Sequence, residues 1–241
     1  MVLTRYKKYL FVLVLILSLI ETISFANDYP EIGVPVTEIF NEDQHKGTGQ
    51  NWWLLQGNNG FIYNGTGSGL NEWDGEKWRL YPTPNKTLIR SASKWKDGRI
   101  YVGTTNDIGY YHHNEKGILT YYSLLDNWSF EQRQFGQVWS TAANQHGVIF
   151  VTRKLVLFWN GKEVKIIHKA APGQHRVFAL EESFIYKLKN ETSIYQISQS
   201  LEVTQTQLTL PEDAITYRIT KNRNGKLVAF TYRHGLFEQQ N

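Results

Sequence analysis

Apolar side chains along this chain fall into two regimes. Residues Tyr9 to Ile20, YLFVLVLILSLI, form one unbroken apolar run. Beyond it, apolar and polar residues alternate in short stretches bounded by Gly, Asn and Asp. A period of two puts every second side chain on one face of a strand, so the pattern predicts strands. No stripe with a 3.6-residue period and capping residues interrupts them, so no long helix is expected.

The strands recur as a unit. GFIYNGT at Gly60 is matched by GRIYVGT at Gly98, more loosely by GVIFVTR at Gly147 and SFIYKLK at Ser183, and again by GKLVAFT at Gly225. The intervals of 38, 49, 36 and 42 residues suit one four-stranded propeller blade each. A strand precedes each copy: NWWLLQ (51–56), IRSASKW (89–95), QVWSTAA (137–143), RVFALEE (176–182) and TYRITKN (216–222). Third strands are expected at 69–75, 108–114, 155–161, 192–198 and 235–241, and fourth strands at 76–82, 117–123, 162–168 and 201–207. WDGEKW, WNGKEV, KDGRI and RNGKL set Asp-Gly or Asn-Gly between strand-like runs, where a tight hairpin needs positive φ. A lone four-stranded sheet would leave both faces wet, so the units must stack. The expectation is an all-β fold, a β-propeller of four-stranded antiparallel blades. About five are present, at 49–84, 85–125, 135–170, 174–210 and an incomplete 214–241.

The first 26 residues read differently. Arg5, Lys7 and Lys8 precede the twelve-residue apolar run, and Ser24-Phe25-Ala26 supplies small residues before a cleavage point. The run is short of the ~20 residues that span a bilayer. Residues 1–26 are therefore expected to be a signal peptide cleaved after Ala26, with residues 27–241 exported to the periplasm. An uncleaved N-terminal anchor is the alternative.

Cleavage would leave 215 residues with 23 basic and 21 acidic side chains, a charge of +2. That near-neutral balance argues against a nucleic-acid partner or a polybasic membrane contact. Cysteine is absent, which excludes disulfides and thiol chemistry. Trp, Tyr and Phe make up 14% of the chain, suited to filling the spaces between twisted blades.

With the repeat in hand, NWWLLQGNNGFIYNGTGSGLNEWDGEKWRLY (51–81) and IRSASKWKDGRIYVGTTNDIGYY (89–111) resemble the regulator-propeller repeats of extracytoplasmic sensor domains in bacterial signalling proteins. YYSLL (121–125) and FGQVW (135–139) resemble the same family's recurring segments. The resemblance covers nearly all of residues 29–241, strongly over 49–161 and weakly over 170–210. It implies a seven-bladed propeller, followed by a triple-tyrosine domain, a membrane helix and a histidine kinase or diguanylate cyclase output. It leaves room for a homodimer in the full-length sensor, and for membrane attachment only through a downstream anchor. The sequence departs from the pattern at GLFEQQN, inside the fifth unit. A truncated seven-bladed propeller is the favoured expectation, and a compact five-bladed ring closed by residues 29–48 the alternative.

Candidate chemistry is sparse. The glycines of GFIYNGTGSGLNEWDGEKW (60–78) resemble a phosphate loop only superficially. Lysine is missing where a P-loop needs it, the glycines Gly65, Gly67 and Gly69 have the wrong spacing for a dinucleotide site, and a strand rather than a helix follows. His112 and His113 are adjacent on a strand and point to opposite faces, so they cannot share a metal ion. Glu72, Asp74, Asp97, Asp107 and Glu115 could supply a glycosidase pair, but most stand beside turn glycines. No nucleophile elbow is present. No enzyme, metal or cofactor is therefore expected. What remains is a binding surface on the first strand of each blade, lined by Trp53, Arg90, Trp139, Arg176 and Tyr217, with either Trp52 or Trp53 in the first blade and either Tyr217 or Arg218 in the fifth. Aromatic faces with arginine suit a small-molecule or oligosaccharide ligand that is flat or anionic. The expected function is that of a ligand-sensing module of a signalling protein. A stand-alone carbohydrate-binding propeller is the alternative, with a propeller glycosidase or lyase further behind.

Overall fold

The structure, a computed structural model, describes residues 37–169 and 175–240. The expected export segment 1–26 lies outside them. Residues 1–39 form a unit separate from residues 40–241, and only 37–39 of the former are described.

Among the described residues, nineteen strands fold into five antiparallel sheets in chain order. The first holds β1 (Asn51–Gln56), β2 (Ile62–Thr66), β3 (Leu70–Trp73) and β4 (Trp78–Tyr81). The second holds β5 (Ser91–Lys94), β6 (Ile100–Gly103), β7 (Ile108–His113) and β8 (Leu119–Ser123). The third holds β9 (Val138–Asn144), β10 (Gly147–Thr152), β11 (Leu155–Trp159) and β12 (Val164–Lys169). The fourth holds β13 (Arg176–Ala179), β14 (Phe184–Lys187), β15 (Ser193–Ile197) and β16 (Val203–Thr209). The fifth holds β17 (Ile215–Lys221), β18 (Leu227–Tyr232) and β19 (Gly235–Glu238). Each sheet is a meander whose first strand lies innermost: β1 packs on β5, β5 on β9, β9 on β13 and β13 on β17. These are successive blades of a β-propeller.

The hairpins follow the turn chemistry. Gly60, Gly75, Gly98 and Gly225 all have positive φ. In the first two blades the turn residue also caps a buried phenol: Asn59 donates to Tyr63 OH at 3.0 Å, and Tyr101 OH donates to Asp97 at 2.8 Å. Gly147 is different. It opens β10 opposite Asn144, so a two-residue turn, Gln145-His146, joins β9 to β10. The copy at Gly147 is thus displaced by one position. Ile149, not Phe150, occupies the place of Tyr101, because Ile149 is the residue turned toward the following blade.

Four apolar clusters fill the seams between consecutive blades. Tyr63, Leu70, Ile100 and Val102 join the first two, and Tyr101, Val138 and Phe150 the next. Ile149, Val177 and Tyr186 join the third and fourth, and Ile185, Ile219 and Ala229 the last pair. Partly buried hydrogen bonds stitch the same seams: Trp95 donates to Asn144 O at 2.7 Å, and Asn144 in turn donates to Leu180 O.

One turn of helix, α1 (Glu42–His45), precedes the first blade. Asn41 caps it by accepting from the Gln44 amide, while Gln44 reaches back to the Asn41 amide. The helix packs against β4, and Phe40 sits on Trp73 and Trp78 with ring centroids 4.7 and 5.6 Å away. Part of the segment that the five-bladed alternative would use to close the ring is therefore helical and lies on the first blade. Residues 29–36 of that segment lie outside the described residues.

Candidate functional site

A bulge at the start of each of three inner strands decides which side chains meet. In β1 the register shifts between Asn51 and Trp53, in β9 it skips Trp139, and in β17 it skips Tyr217. Such an extra residue leaves the ladder and re-aims its side chain. The residues that follow, Trp53, Ser140 and Arg218, pair with the second strands at Gly65, Val151 and Phe230, as Ser91 does with Gly103. Counted this way, Trp52, Arg90, Trp139, His175 and Tyr217 occupy one equivalent position on five blades.

Three of them converge. The Arg90 guanidinium lies over the Trp52 ring at 3.9 Å and over the Trp139 ring at 4.1 Å, bridging the first, second and third blades. A cation between two indole faces is well held when desolvated. Nε of Arg90 and Nε1 of both tryptophans are buried without a hydrogen-bond partner among the described residues. All three are donors, so the cluster presents N–H groups and no acceptor. The remaining Arg90 nitrogens make no hydrogen bond or ion pair with a described residue either. Burial lowers the guanidinium pKa, yet arginine keeps its charge. The result is a fixed, unpaired cation whose fork suits a carboxylate, sulfate or phosphate.

Of the expected ligand residues, the structure brings Arg90 and Trp139 together and recruits Trp52. Trp53 points into the seam, where its indole donates to Ile89 O at 3.3 Å, and a Cβ at Gly65 would collide with it. Arg176 lines a cleft between the fourth and fifth blades. Tyr217 meets Tyr232 edge-on at 6.0 Å on the outer face of the fifth sheet. Strict alternation cannot tell Trp52 from Trp53 when a bulge intervenes.

Four of the five carboxylates weighed for catalysis are engaged locally, and Glu115 is exposed. Asp74 accepts the Glu76 and Lys77 amides, which hold its pKa down to about 2. Asp97 serves its own turn and Tyr101. Asp107 accepts from Tyr121 and Ser123 at 2.8 Å each, although burial raises its pKa. Glu72, 2% exposed, accepts from Tyr81 OH at 3.2 Å and faces Arg79 and His113 at 3.5 and 3.3 Å. His113 thus turns to Glu72 while His112 is exposed. Among the described residues no group of three His, Cys, Asp or Glu side chains could hold a metal ion.

No family model and no curated protein sequence matches the chain. Solved structures do. Virginiamycin B lyase from Staphylococcus aureus superposes with a TM-score of 0.59 at 13% identity, over 82% of this chain and 71% of the lyase. The extracellular domain of a hybrid two-component system from B. thetaiotaomicron gives 0.53 at 15% identity, over 79% of this chain but 28% of that one. PorZ, a surface component of the type-IX secretion system of Porphyromonas gingivalis, gives 0.52 at 14%, over 78% of this chain and 24% of its own. At these identities the likeness is one of fold, a β-propeller. The neighbours include the kind of extracellular domain that the repeat resembles.

Proposed function

We propose that this chain is the ligand-sensing propeller of an extracytoplasmic bacterial signalling receptor, and that its ligand carries an anionic group bound by Arg90 between Trp52 and Trp139. The observation that carries the reading is the unpaired guanidinium clamped by two indoles at 3.9 and 4.1 Å. A structural arginine normally hydrogen-bonds carbonyls or pairs with a carboxylate, and this one does neither among the described residues. The fold likeness to a two-component extracellular domain supports the setting. Aromatic faces beside the fork favour an acidic saccharide over a bare ion. In this reading the propeller binds and other modules respond.

Calorimetric titration with digalacturonate and with maltose tests the proposal. Digalacturonate should bind and maltose should not. Arg90→Gln should weaken digalacturonate about ten- to a hundredfold, the worth of hydrogen bonds to a charged group. Equal binding of both sugars, or unchanged binding by Arg90→Gln, would overturn the assignment.

A further inference from the structure

We propose that the cleft between the fourth and fifth blades is a second binding site, in which Lys187 and Arg176 take the carboxylate of a small organic acid. The cleft has a volume of about 300 Å³, with Arg176, Lys187 and Lys189 on one wall and Glu212, Asp213 and Thr216 on the other. Arg176 and Lys187 stand directly opposite each other on β13 and β14, so their side chains share one face. Two like charges so placed repel. Neither has a carboxylate within 4.0 Å among the described residues. Of the acidic groups on the far wall, Asp213 is taken by His234 Nε2 at 3.2 Å.

Lys187 is 4% exposed, and a buried ammonium is costly unless its charge is met. Among the described residues its Nζ donates only to two neutral carbonyls, Leu188 O at 3.3 Å and Glu212 O at 3.2 Å. An ammonium has three N–H groups, so one is left for a ligand. Burial lowers the Lys187 pKa despite the nearby acids, which agrees with an unmet charge.

The propeller itself does not demand a cation here. At the equivalent position of the second strand, the other four blades carry Gly65, Gly103, Val151 and Phe230, opposite Trp53, Ser91, Ser140 and Arg218. Only the fourth blade sets a lysine against an arginine. An anion in the cleft would relieve the repulsion, satisfy the third Lys187 donor and use the arginine fork in one contact.

Titration of the ¹⁵N-labelled protein with succinate, followed by amide shifts, tests the site. Saturable shifts are expected at Lys187–Asn190 and Ala214–Thr216. Arg176→Gln, at an exposed position that should not disturb folding, is expected to raise the dissociation constant about tenfold, and Lys187→Met at least as much. Arg90→Gln should leave these shifts unchanged, which separates this cleft from the tryptophan clamp. The proposal falls if these amides show no saturable response, or if Arg176→Gln binds as the parent does. It falls equally if shifts appear only around Ser91 and Ser140 and vanish with Arg90→Gln.

Discussion

The first and fifth blades each turn one face away from the other blades, and they treat that face in opposite ways. In the first blade, Trp73 and Trp78 lie on it beside Asn64 and Asn71, which are 5% and 0% exposed. Phe40 covers the tryptophans, and His45 reaches Asn71 at 3.4 Å. In the fifth blade, Ile215 stands opposite Tyr232, and Phe230 opposite Leu236, so these four share a face with Tyr217 at its edge. All five are 44–60% exposed. The opposite face, with Ile219, Leu227 and Ala229, is buried against the fourth blade. One terminal sheet thus has a polar interior and an aromatic lid, while the other shows an apolar patch of the kind that marks a contact surface. A propeller seam needs apolar partners from two sheets, and on the first sheet Phe40 and His45 beside α1 take the place of the second.

Removing the lid should have the largest effect. Phe40→Ala or Trp73→Ala is expected to cost about 3 kcal/mol, the lower range for a large aromatic, since neither ring is fully buried. Tyr232→Ser, a truncation of similar size on the fifth blade, should fall within about 0.5 kcal/mol and reduce self-association. Urea unfolding of the three variants, with light scattering, measures both. Equal costs on the two blades would show that the fifth face is covered in solution.

Glycine replacement sharpens the same contrast at slightly smaller magnitude. Gly69 has φ +139°, and a Cβ there would stand 2.5 Å from Tyr81 O, so Gly69→Ala adds a clash to backbone strain. We expect a loss of about 2–3 kcal/mol. Gly235, the first residue of β19, has φ +79° with nothing within 4 Å of the added atom. Gly235→Ala should cost strain alone, about 1 kcal/mol. Thermal melts that rank the two in reverse would contradict this account of the hairpins.

Much of this architecture could be read from the chain because its determinants are local. Alternation marks β1 through β8 to within two residues at each end, and Asn59-Gly60, Asp74-Gly75 and Asp97-Gly98 mark three of their hairpins. Legibility failed where a distant contact decided the outcome. Gly147 looks like a turn glycine, but it is held inside β10 against Trp159 O and Phe158, and that displaces the repeat by one residue. Trp52 and Trp53 are indistinguishable until a bulge aims one at Arg90 and the other at Ile89 O. The lid of Phe40 carries no local signal beyond the capping pair Asn41 and Gln44. Lys187 reads as an ordinary strand-end lysine, and its burial follows from where the fifth blade lies.

Acid exposes the smallest difference. The β3–β4 hairpin of the first blade turns on a carboxylate: Asp74 accepts two backbone amides at 2.9 Å and meets Arg79 at 2.7 Å. The β17–β18 hairpin of the fifth blade turns on Asn222, whose amide oxygen accepts from Asn224 and Lys226 and does not titrate. The Asp74 pKa is lowered to about 2, chiefly by the Lys77 and Glu76 amides, against about 3.9 for an unfolded aspartate. A depressed carboxylate stabilises the fold fully above its unfolded pKa and loses that contribution as pH falls through its folded value. Hydrogen exchange at Glu76 and Lys77 should therefore stay slow above about pH 4 and gain protection-losing opening as pH falls toward about 2. Amides of Asn224 and Lys226, corrected for intrinsic rates, should show no such step. Asp74→Asn should abolish the step in the first blade and make its hairpin behave like that of the fifth. If the step survives the substitution, some other carboxylate governs the hairpin.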